Sequence, residues 1–422
     1  MSESVGLLLR RAGFGPTAVE LAAARQAGYA ATLSGLTAPP GPDVGATGAP
    51  IPDLGPDAYA GKRDLTYEQK VKLEDLRTAQ TVQITEWWLN RMTVASHQAV
   101  EKLILFWHGH WATSVKKVRS PQLMLSQHRT LRESADFTVM ARRMVTDAAL
   151  NHYLDGHLNT RQAPNENLAR ELCELFVLGI GHYTEKDVKE AGRALTGWRF
   201  SLTMGRSVFE PRAHDAGTKT ILGRSGNYTA ESLVDLLVRQ EACPRFIAAR
   251  LWFRYASSAK PIPPALQEKM VRAFPAPMAM LRVLLGDDTF QATAGTMVKQ
   301  PVEWLVGAFR QAGVQPAQLS PETRAAILHD LESLGQLPFA PPNVGGWPSG
   351  GAWLTSASAQ VRLRLAGRIA EHTQLDRLDP ESLAYLLCVD RWTDRTYSVL
   401  RDTRDKRQLL TLGLVSPEYL VT

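Results

Sequence analysis

Helical periodicity is the feature of this sequence that most constrains its fold. Apolar residues recur at spacings of three and four over residues 16–36, where Gly28 interrupts them, and from Thr66 to about Trp107, with a break expected near Ser96. The same period continues through residues 121–153, 229–256, 265–285, 299–312, 321–334, 357–371 and 380–388. Because amphipathic helices bury their apolar faces against one another, the sequence predicts a mainly α protein, a large irregular helical bundle.

Strand signals are concentrated in residues 206–228. There Val-Phe and Thr-Ile-Leu runs flank His214-Asp215-Ala216-Gly217, which predicts a small β-hairpin insertion that turns near Asp-Ala-Gly. Residues 37–61 and 338–353 contain too much Pro and Gly for regular structure, so both predict loops. We expect the hairpin and the loop at 338–353 to wall a cleft in the helical body.

The domain organisation follows from these elements. We expect an N-terminal helical segment at residues 1–40, a Pro/Gly-rich loop at 41–65, a main helical body with the hairpin at 66–370 and a C-terminal helical segment at 371–422. Although 422 residues suffice for about three average domains, the continuous helical pattern favours one compact domain.

Composition excludes several classes of protein. With 44% hydrophobic and 21% charged residues the chain is typical of a globular protein, and the net charge of +6 is not concentrated in any Lys/Arg run that would indicate nucleic-acid binding. No window approaches the apolar length of a membrane span. The apolar run near the start precedes its arginines, the reverse of a secretory signal, so we expect a cytoplasmic protein.

The cysteines exclude some metal centres. Cys173, Cys243 and Cys388 are scattered without CxxC spacing, which argues against a zinc ribbon, an iron–sulfur cluster or a disulfide framework. Other catalytic signatures, such as a P-loop, H-E-x-x-H or G-x-S-x-G, are absent from the sequence.

The stretch LFWHGHWAT places His108 and His110 one residue apart between two tryptophans. Residues two apart on a helix point in very different directions, so both rings reach one ion only if the helix ends there. Thr113 and Ser114 favour such an end. The pair is therefore interpreted either as two metal ligands or as two polar rings in an aromatic corner.

A helix predicted from Asn165 onwards carries the candidate carboxylates. Asn167, Glu171 and Glu174 lie at i, i+4 and i+7 beside an apolar stripe, while Arg170 points in a third direction. We predict His108, His110, Glu171 and Glu174 as ligands of a divalent metal, and imidazole with carboxylate suits zinc, iron or manganese. The alternative is that Glu171 and Glu174 form salt bridges with arginines such as Arg142, Arg143 or Arg193.

His214 and Asp215 in the predicted hairpin supply either further ligands or a base held by its neighbour. The alternative is a turn stabilised by the Asp215 side chain, with a surface histidine. We predict His214, Asp215 and Arg170 as catalytic residues. Lys116, Lys117 and Arg119 follow the histidine pair and favour an anionic substrate.

Several motifs together resemble a known family. LLRRAGFGPT, FWHGHW, NENLARELCELFVLGIGHYTEKDVKEAGRALTGW and KQPVEWLVGAFR are similar, in this order, to the bacterial domain-of-unknown-function family numbered 1800. The resemblance implies a mostly helical protein, often exported and often encoded beside a sulfatase-like partner protein. Its repeated polar positions fall here on His108, His110, Asp155, Asn165, Glu166, Asn167, Arg170, Glu171, Glu174, His214 and Asp215.

This sequence departs from that family at two points. Many relatives have a histidine where this chain has Phe176, and many carry an export signal. The first departure removes any role of that imidazole, and the second supports the expectation of a cytoplasmic protein.

These features favour an enzyme whose metal-assisted or acid–base site combines the histidine pair, the Glu171/Glu174 helix and the His214-Asp215 hairpin. Hydrolysis is the first reaction class, because a bound ion can activate water, and redox chemistry at iron or manganese is the second. The alternative function is a helical interaction or scaffold protein with a buried salt-bridge network and no catalysis. A metal site requires the carboxylates and histidines to converge, whereas the network requires Glu171 and Glu174 to contact arginines.

Overall fold

The computed structural model describes residues 4–374 and 378–422, and its first half is mainly helical. The helices here are α1 Val5–Ala12, α2 Ala18–Ala27, α3 Tyr29–Thr37, α4 Tyr67–Val94, α5 Gln98–His110, α6 Val115–Val118, α7 Pro121–Glu133, α8 Phe137–Met144, α9 Ala148–Tyr153, α10 Asn167–Glu171 and α11 Glu185–Ala194. A π-helix at Leu172–Val177 continues α10.

The second half of the chain is also mainly helical. Its helices are α12 Ala230–Val238, α13 Ala242–Tyr255, α14 Pro264–Val271, α15 Pro277–Leu285, α16 Asp288–Gln291, α17 Pro301–Ala312, α18 Pro321–Ser333, α19 Ser356–Glu371, α20 Pro380–Leu386, α21 Asp394–Asp402, α22 Lys406–Val415 and α23 Pro417–Leu420. Short 3-10 helices lie at Gly45–Gly48, Gly156–Leu158, Pro211–Ala213, Pro316–Gln318 and Gly350–Trp353. The prediction of a mainly α fold is confirmed.

Helix boundaries follow local signals in the sequence. Thr66 and Gln69 form a capping box at the start of α4, and Thr184 and Asp187 form another at the start of α11. Gly28, with φ of 80°, ends α2 and begins α3, which confirms the interruption expected there.

The predicted β-hairpin is present as two small hairpins. β1, Trp198–Ser201, pairs antiparallel with β2, Arg206–Phe209, and β3, Lys219–Ile221, pairs antiparallel with β4, Arg224–Gly226. One hairpin turning near Asp215 was expected, whereas the structure has two hairpins and neither of them turns at Asp215. β2 pairs with a strand that precedes residue 206 and was not predicted from the sequence. The His214-Asp215 segment joins the two hairpins.

The core consists of two large groups of buried side chains, with α5 between them. Trp107 and Trp111 belong to the group that includes α8 and α12–α15, whereas Ile104 and Leu105 belong to the group around α4, α17 and α19. Burying such large aromatic side chains supplies much of the stabilisation of a core. The C-terminal end of α5 therefore lies where the two groups meet.

Within the described residues, no helix combines the length and the apolar character needed to cross a bilayer. The cysteines Cys173, Cys243 and Cys388 are buried and free.

Candidate functional site

His108 and His110 point to different parts of the core, as their spacing on a helix requires. The His108 Nε2 accepts a hydrogen bond from the backbone N–H of Phe339 at 2.9 Å, and its ring meets the edge of Trp88. The His110 Nε2 lies 2.9 Å from the carbonyl oxygen of Phe176 in the π-helix. The two rings thus contact separate partners.

The predicted ligand set is not brought together. α5 continues as a helix through His110, so the two rings diverge instead of converging beyond a helix end. Among residues 4–374 and 378–422, no group of three or more His, Cys, Asp or Glu side chains is placed to hold a metal ion. Binding of zinc, iron or manganese stays a prediction, and it cannot use His108, His110, Glu171 and Glu174 as one shell in this arrangement.

The hydrogen bond to Phe176 fixes the tautomer of His110. A carbonyl oxygen only accepts, so Nε2 carries the hydrogen and Nδ1 keeps its lone pair. Nδ1 is buried and has no hydrogen-bond partner among the described residues. Burial, and then the nearby charge of Arg250, lower the pKa of His110 to about 3 against the opposing effect of the Phe176 carbonyl. At neutral pH His110 is therefore a neutral imidazole with one unused acceptor.

A cavity of about 510 Å³ opens beside His110. The end of α5, the π-helix, the turn after it, α13 and the loop at 338–353 contribute its walls. Its polar lining residues are His110, Glu174, His182, Arg245, Arg250 and Gln267. Cavities of this size with a few convergent polar groups are typical of small-molecule sites.

Arg250 gives this cavity a cation without a counter-ion. No carboxylate among the described residues forms a salt bridge with it, and its Nε is buried without a hydrogen-bond partner. Burial lowers the pKa of Arg250. Arg245, on the same helix, is instead paired with Glu268. Arg250 is therefore the positive charge that a bound anion would neutralise.

The two predicted carboxylates have different surroundings. Glu174 lines the cavity, and its Oε2 accepts a hydrogen bond from the Tyr183 hydroxyl at 2.9 Å. Glu171 is half-buried, lies outside the cavity lining and has no hydrogen bond or ion pair among the described residues. Burial, followed by the charge of Glu174, raises the pKa of Glu171. Neither carboxylate contacts an arginine in an ion pair, so the predicted salt-bridge alternative is not formed at this helix.

The π-helix explains why the spacing argument failed for these carboxylates. Its i→i+5 hydrogen bonds place more residues in each turn than an α-helix does, so the i, i+4, i+7 stripe does not continue through Glu174. Because Phe176 lies in the last turn of this helix, its carbonyl has no intrahelical donor and accepts from His110. Such π-segments occur frequently at functional sites.

The predicted catalytic residues lie elsewhere and are held by structural contacts. Arg170 pairs with Glu166 at 2.8 Å and with Glu185 at 2.7 Å. Asp215 pairs with Arg193 at 2.7 Å, and its Oδ1 accepts from the N–H of Gly217. None of these residues lines the cavity.

His214 is not held by its neighbour Asp215. Its Nδ1 lies 3.0 Å from the Thr196 carbonyl oxygen and 3.2 Å from the Thr196 hydroxyl. This arrangement matches the alternative reading, a turn stabilised by an aspartate side chain with a partly exposed histidine.

The loop at 338–353 walls the cavity, as expected, whereas the hairpins do not. Val344 and Gly345 line it, and the loop presses on the end of α5 at a glycine–glycine contact. Gly346 has φ of 84°, and an added Cβ there would overlap the carbonyl oxygen of Gly109. Only glycine fits this close approach without strain.

The basic flank after the histidine pair is neutralised in the structure. Lys116 pairs with Glu332 at 2.8 Å, and Lys117 pairs with Asp155 at 3.0 Å.

Buried ion pairs do exist away from Glu171 and Glu174. Glu101 contacts Arg132 at 2.6 Å and Arg91 at 3.0 Å.

Sequence reasoning did not identify Arg250, Arg245, Phe246 or His182 as site residues. α13 carries several arginines, and periodicity alone does not show which of them lacks a partner.

Comparisons with known proteins show the family and nothing closer. A family model described as a protein of unknown function, DUF1800, matches residues 7–421. No match was found among the curated proteins or among the solved structures. Because that model covers nearly the whole chain, the chain belongs to the DUF1800 family.

Proposed function

We propose that this protein is an enzyme that binds a small anionic substrate in the cavity beside the π-helix and acts on it by acid–base chemistry, with hydrolysis as the first reaction class. The observation that carries the proposal is that two polar groups without partners line the same cavity. Arg250 lacks a counter-ion, and the His110 Nδ1 lacks a hydrogen-bond donor, among the described residues. A ligand with a negative charge and an O–H group satisfies both.

Arg250 would bind the anionic group, because a guanidinium in partly buried surroundings attracts negative charge more strongly than one in water. The negative charge of the substrate would also oppose the two effects that keep His110 neutral. Its arrival therefore raises the pKa of His110 towards the ordinary range, so that Nδ1 accepts a proton from the substrate or from water.

Glu174 completes the acid–base set. Its carboxylate is oriented by the Tyr183 hydroxyl and lines the same cavity as His110. A carboxylate with one oxygen already bonded keeps acceptor capacity on the other, so it can orient a water molecule. A histidine and a carboxylate that line one cavity supply the two proton-transfer groups that hydrolysis needs.

A ligand-binding assay and an activity screen test this proposal. Isothermal titration with phosphate, sulfate and a short carboxylate, followed by hydrolysis of chromogenic phosphate, sulfate and carboxylate esters, should show binding and turnover in wild type. Arg250→Gln should lose at least ~10-fold in anion affinity, the effect of about 1.4 kcal/mol. Arg142→Gln is the matched control, because this arginine is partly exposed and paired with Asp235. Equal affinity of all three proteins would overturn the proposal.

A resident divalent metal, zinc, iron or manganese, remains part of the proposal as a separate prediction. The His110 Nδ1 has a free lone pair in the cavity, whereas the His108 Nε2 is occupied by the Phe339 N–H. Elemental mass spectrometry of untagged protein should therefore show metal lost in His110→Ala and retained in His108→Ala. Loss in both variants would restore the paired-histidine interpretation.

The second candidate is the scaffold function without catalysis, which the buried contacts of Glu101 with Arg91 and Arg132 favour. It predicts no saturable anion binding at Arg250 and no hydrolysis by any variant. The titration described above separates the two functions.

A further inference from the structure

The cavity beside His110 has far more room than a simple anion needs. Its volume of about 510 Å³ is many times the roughly 10–15 Å³ that one water molecule requires. Phosphate, sulfate or acetate bound at Arg250 would leave most of this space to water. A ligand that fills the cavity therefore has a further part, and the walls indicate the chemistry of that part.

One face of α13 forms a wall of the cavity and changes from apolar to charged along its length. Ala242, Phe246 and Arg250 follow one another at spacings of one helical turn, and all three line the cavity. With a rise of ~1.5 Å per residue, Phe246 lies about 6 Å before Arg250 along the helix axis. An anionic group bound by Arg250 thus has an aromatic side chain one turn away.

Phe246 is positioned by the turn that follows the π-helix. Its ring centre lies 6.1 Å from that of His110. A Cβ added at Gly179 would meet the Phe246 ring at 2.9 Å, so the backbone of the turn lies directly against this ring. Gly179 also has φ of 84°, which favours glycine at this position. The turn and the aromatic ring therefore form one continuous wall.

The same turn presents an apolar side chain to solvent. Ile180 is 77% exposed and lines the cavity. Single exposed apolar residues are ordinary on protein surfaces, but this one borders a cavity whose walls include Leu178 and Val344. A ligand that consists only of a charged group leaves Ile180 in water, whereas a ligand with an apolar part covers it, which is favourable.

We propose that the substrate of this cavity is an organic anion, in which the charged group is joined to an apolar body of about the size of a phenyl ring. The inference rests on the proposed function, because it takes Arg250 as the residue that binds the charged group. The apolar body lies against Phe246 and Ile180. These apolar contacts distinguish the substrate from phosphate, sulfate and other small anions, which Arg250 alone does not reject.

Pairs of ligands that share a charged group test this inference on the wild-type protein. Isothermal titration compares acetate with phenylacetate, and methylphosphonate with phenylphosphonate, whose carbon–phosphorus bonds resist hydrolysis. The phenyl member of a pair should bind at least ~10-fold more tightly and with a more negative heat-capacity change, because it buries apolar surface. A gain of this size in either pair supports the inference. Equal affinity within both pairs would overturn it.

Ile180→Ser tests where the apolar body lies. In this variant the ratio of affinities within a pair should fall at least ~3-fold, since part of the apolar surface of the wall is lost. Val19→Ser is the matched control, because Val19 is 79% exposed, lies in α2 and is outside the cavity lining; it should keep the wild-type ratio. An unchanged ratio in Ile180→Ser would overturn the assignment. Because Ile180 is exposed, its replacement leaves the fold intact.

The same titrations separate this inference from the proposed function. Arg250→Gln should weaken both members of a pair to a similar extent, because they share the charged group. If the wild-type protein binds none of the four ligands, the proposed function and this inference are both overturned. If it binds the two members of each pair equally, only this inference is overturned.

Discussion

Removing the charge of Arg250 should stabilise the protein, whereas removing that of a paired arginine should destabilise it. The Arg250 Nε is buried without a partner, and burying such a group costs ~1–3 kcal/mol. Methionine keeps much of the aliphatic stem but loses the contact with the Phe253 ring, at 5.9 Å, which contributes about 0.5–1 kcal/mol. The difference predicts that Arg250→Met raises the free energy of unfolding by ~0.5–2 kcal/mol, the usual size of such gains.

Arg132→Met is the contrasting variant. Arg132 donates to both oxygens of Glu101, at 2.6 and 2.8 Å, and Glu101 is buried. Breaking a buried ion pair costs ~3–5 kcal/mol, with the lower end expected because Arg91 continues to pair with Glu101. With ~2.1 cal/mol/K of unfolding entropy per residue, 422 residues give ~0.9 kcal/mol per degree of Tm.

Urea and thermal denaturation of wild type and both variants measure this contrast. We expect Tm to rise by about 1–2 °C in Arg250→Met and to fall by about 3 °C in Arg132→Met. A loss of stability in Arg250→Met as large as that in Arg132→Met would show that Arg250 serves the fold. The reasoning that reserves this arginine for a ligand would then be refuted.

Three further predictions concern pH and the loop beside the cavity. Burial raises the pKa of Asp147 from 3.8 to about 6, so the folded state retains a proton that the unfolded state releases. This carboxyl therefore contributes stability, on the order of 3 kcal/mol, that is present below pH 4 and is lost as pH rises to 6, and the comparison of wild type with Asp147→Asn in urea titrations should isolate this contribution. Burial lowers the pKa of His108 and His110 to about 3, so these two rings contribute the opposite slope: their part of the stability is lost as pH drops from about 6.5 towards 3, and this loss should be smaller in His110→Phe. Gly346→Ala should cost ~1–3 kcal/mol of stability and reduce anion affinity, because its Cβ meets Gly109; unchanged calorimetric binding would contradict this.

The helices could be predicted because their signals are local. Apolar spacing and caps such as Thr66 with Gln69 act within one or two turns, and the structure places α4 and α5 where these signals predict them. The pairing of the strands was not predicted correctly, because a strand pairs with whichever neighbouring segment the fold places beside it. β2 pairs with the preceding β1, for which no strand was predicted.

The site was predicted only in part, for physical reasons. His110 and Glu174 line one cavity, but His108 turns to Phe339, and Glu171 lies outside because the π-helix changes the angular spacing of side chains. Arg250 could not be selected from sequence, since what distinguishes it is the absence of a partner. That property depends on elements distant along the chain, not on neighbours in the helix.

The contact between His110 and the Phe176 carbonyl has a consequence for sequence variation. Because the acceptor is a main-chain atom, side-chain replacement at position 176 leaves it in place, and relatives with histidine there can retain the same tautomer of His110. Alanine substitution at position 176 would not detect this contact. A one-residue deletion within Leu172–Val177 would return the segment to α-helical register and withdraw the carbonyl. In chains that keep His110, insertions and deletions in this segment, and not substitutions at position 176, are thus the changes that could remove this hydrogen bond.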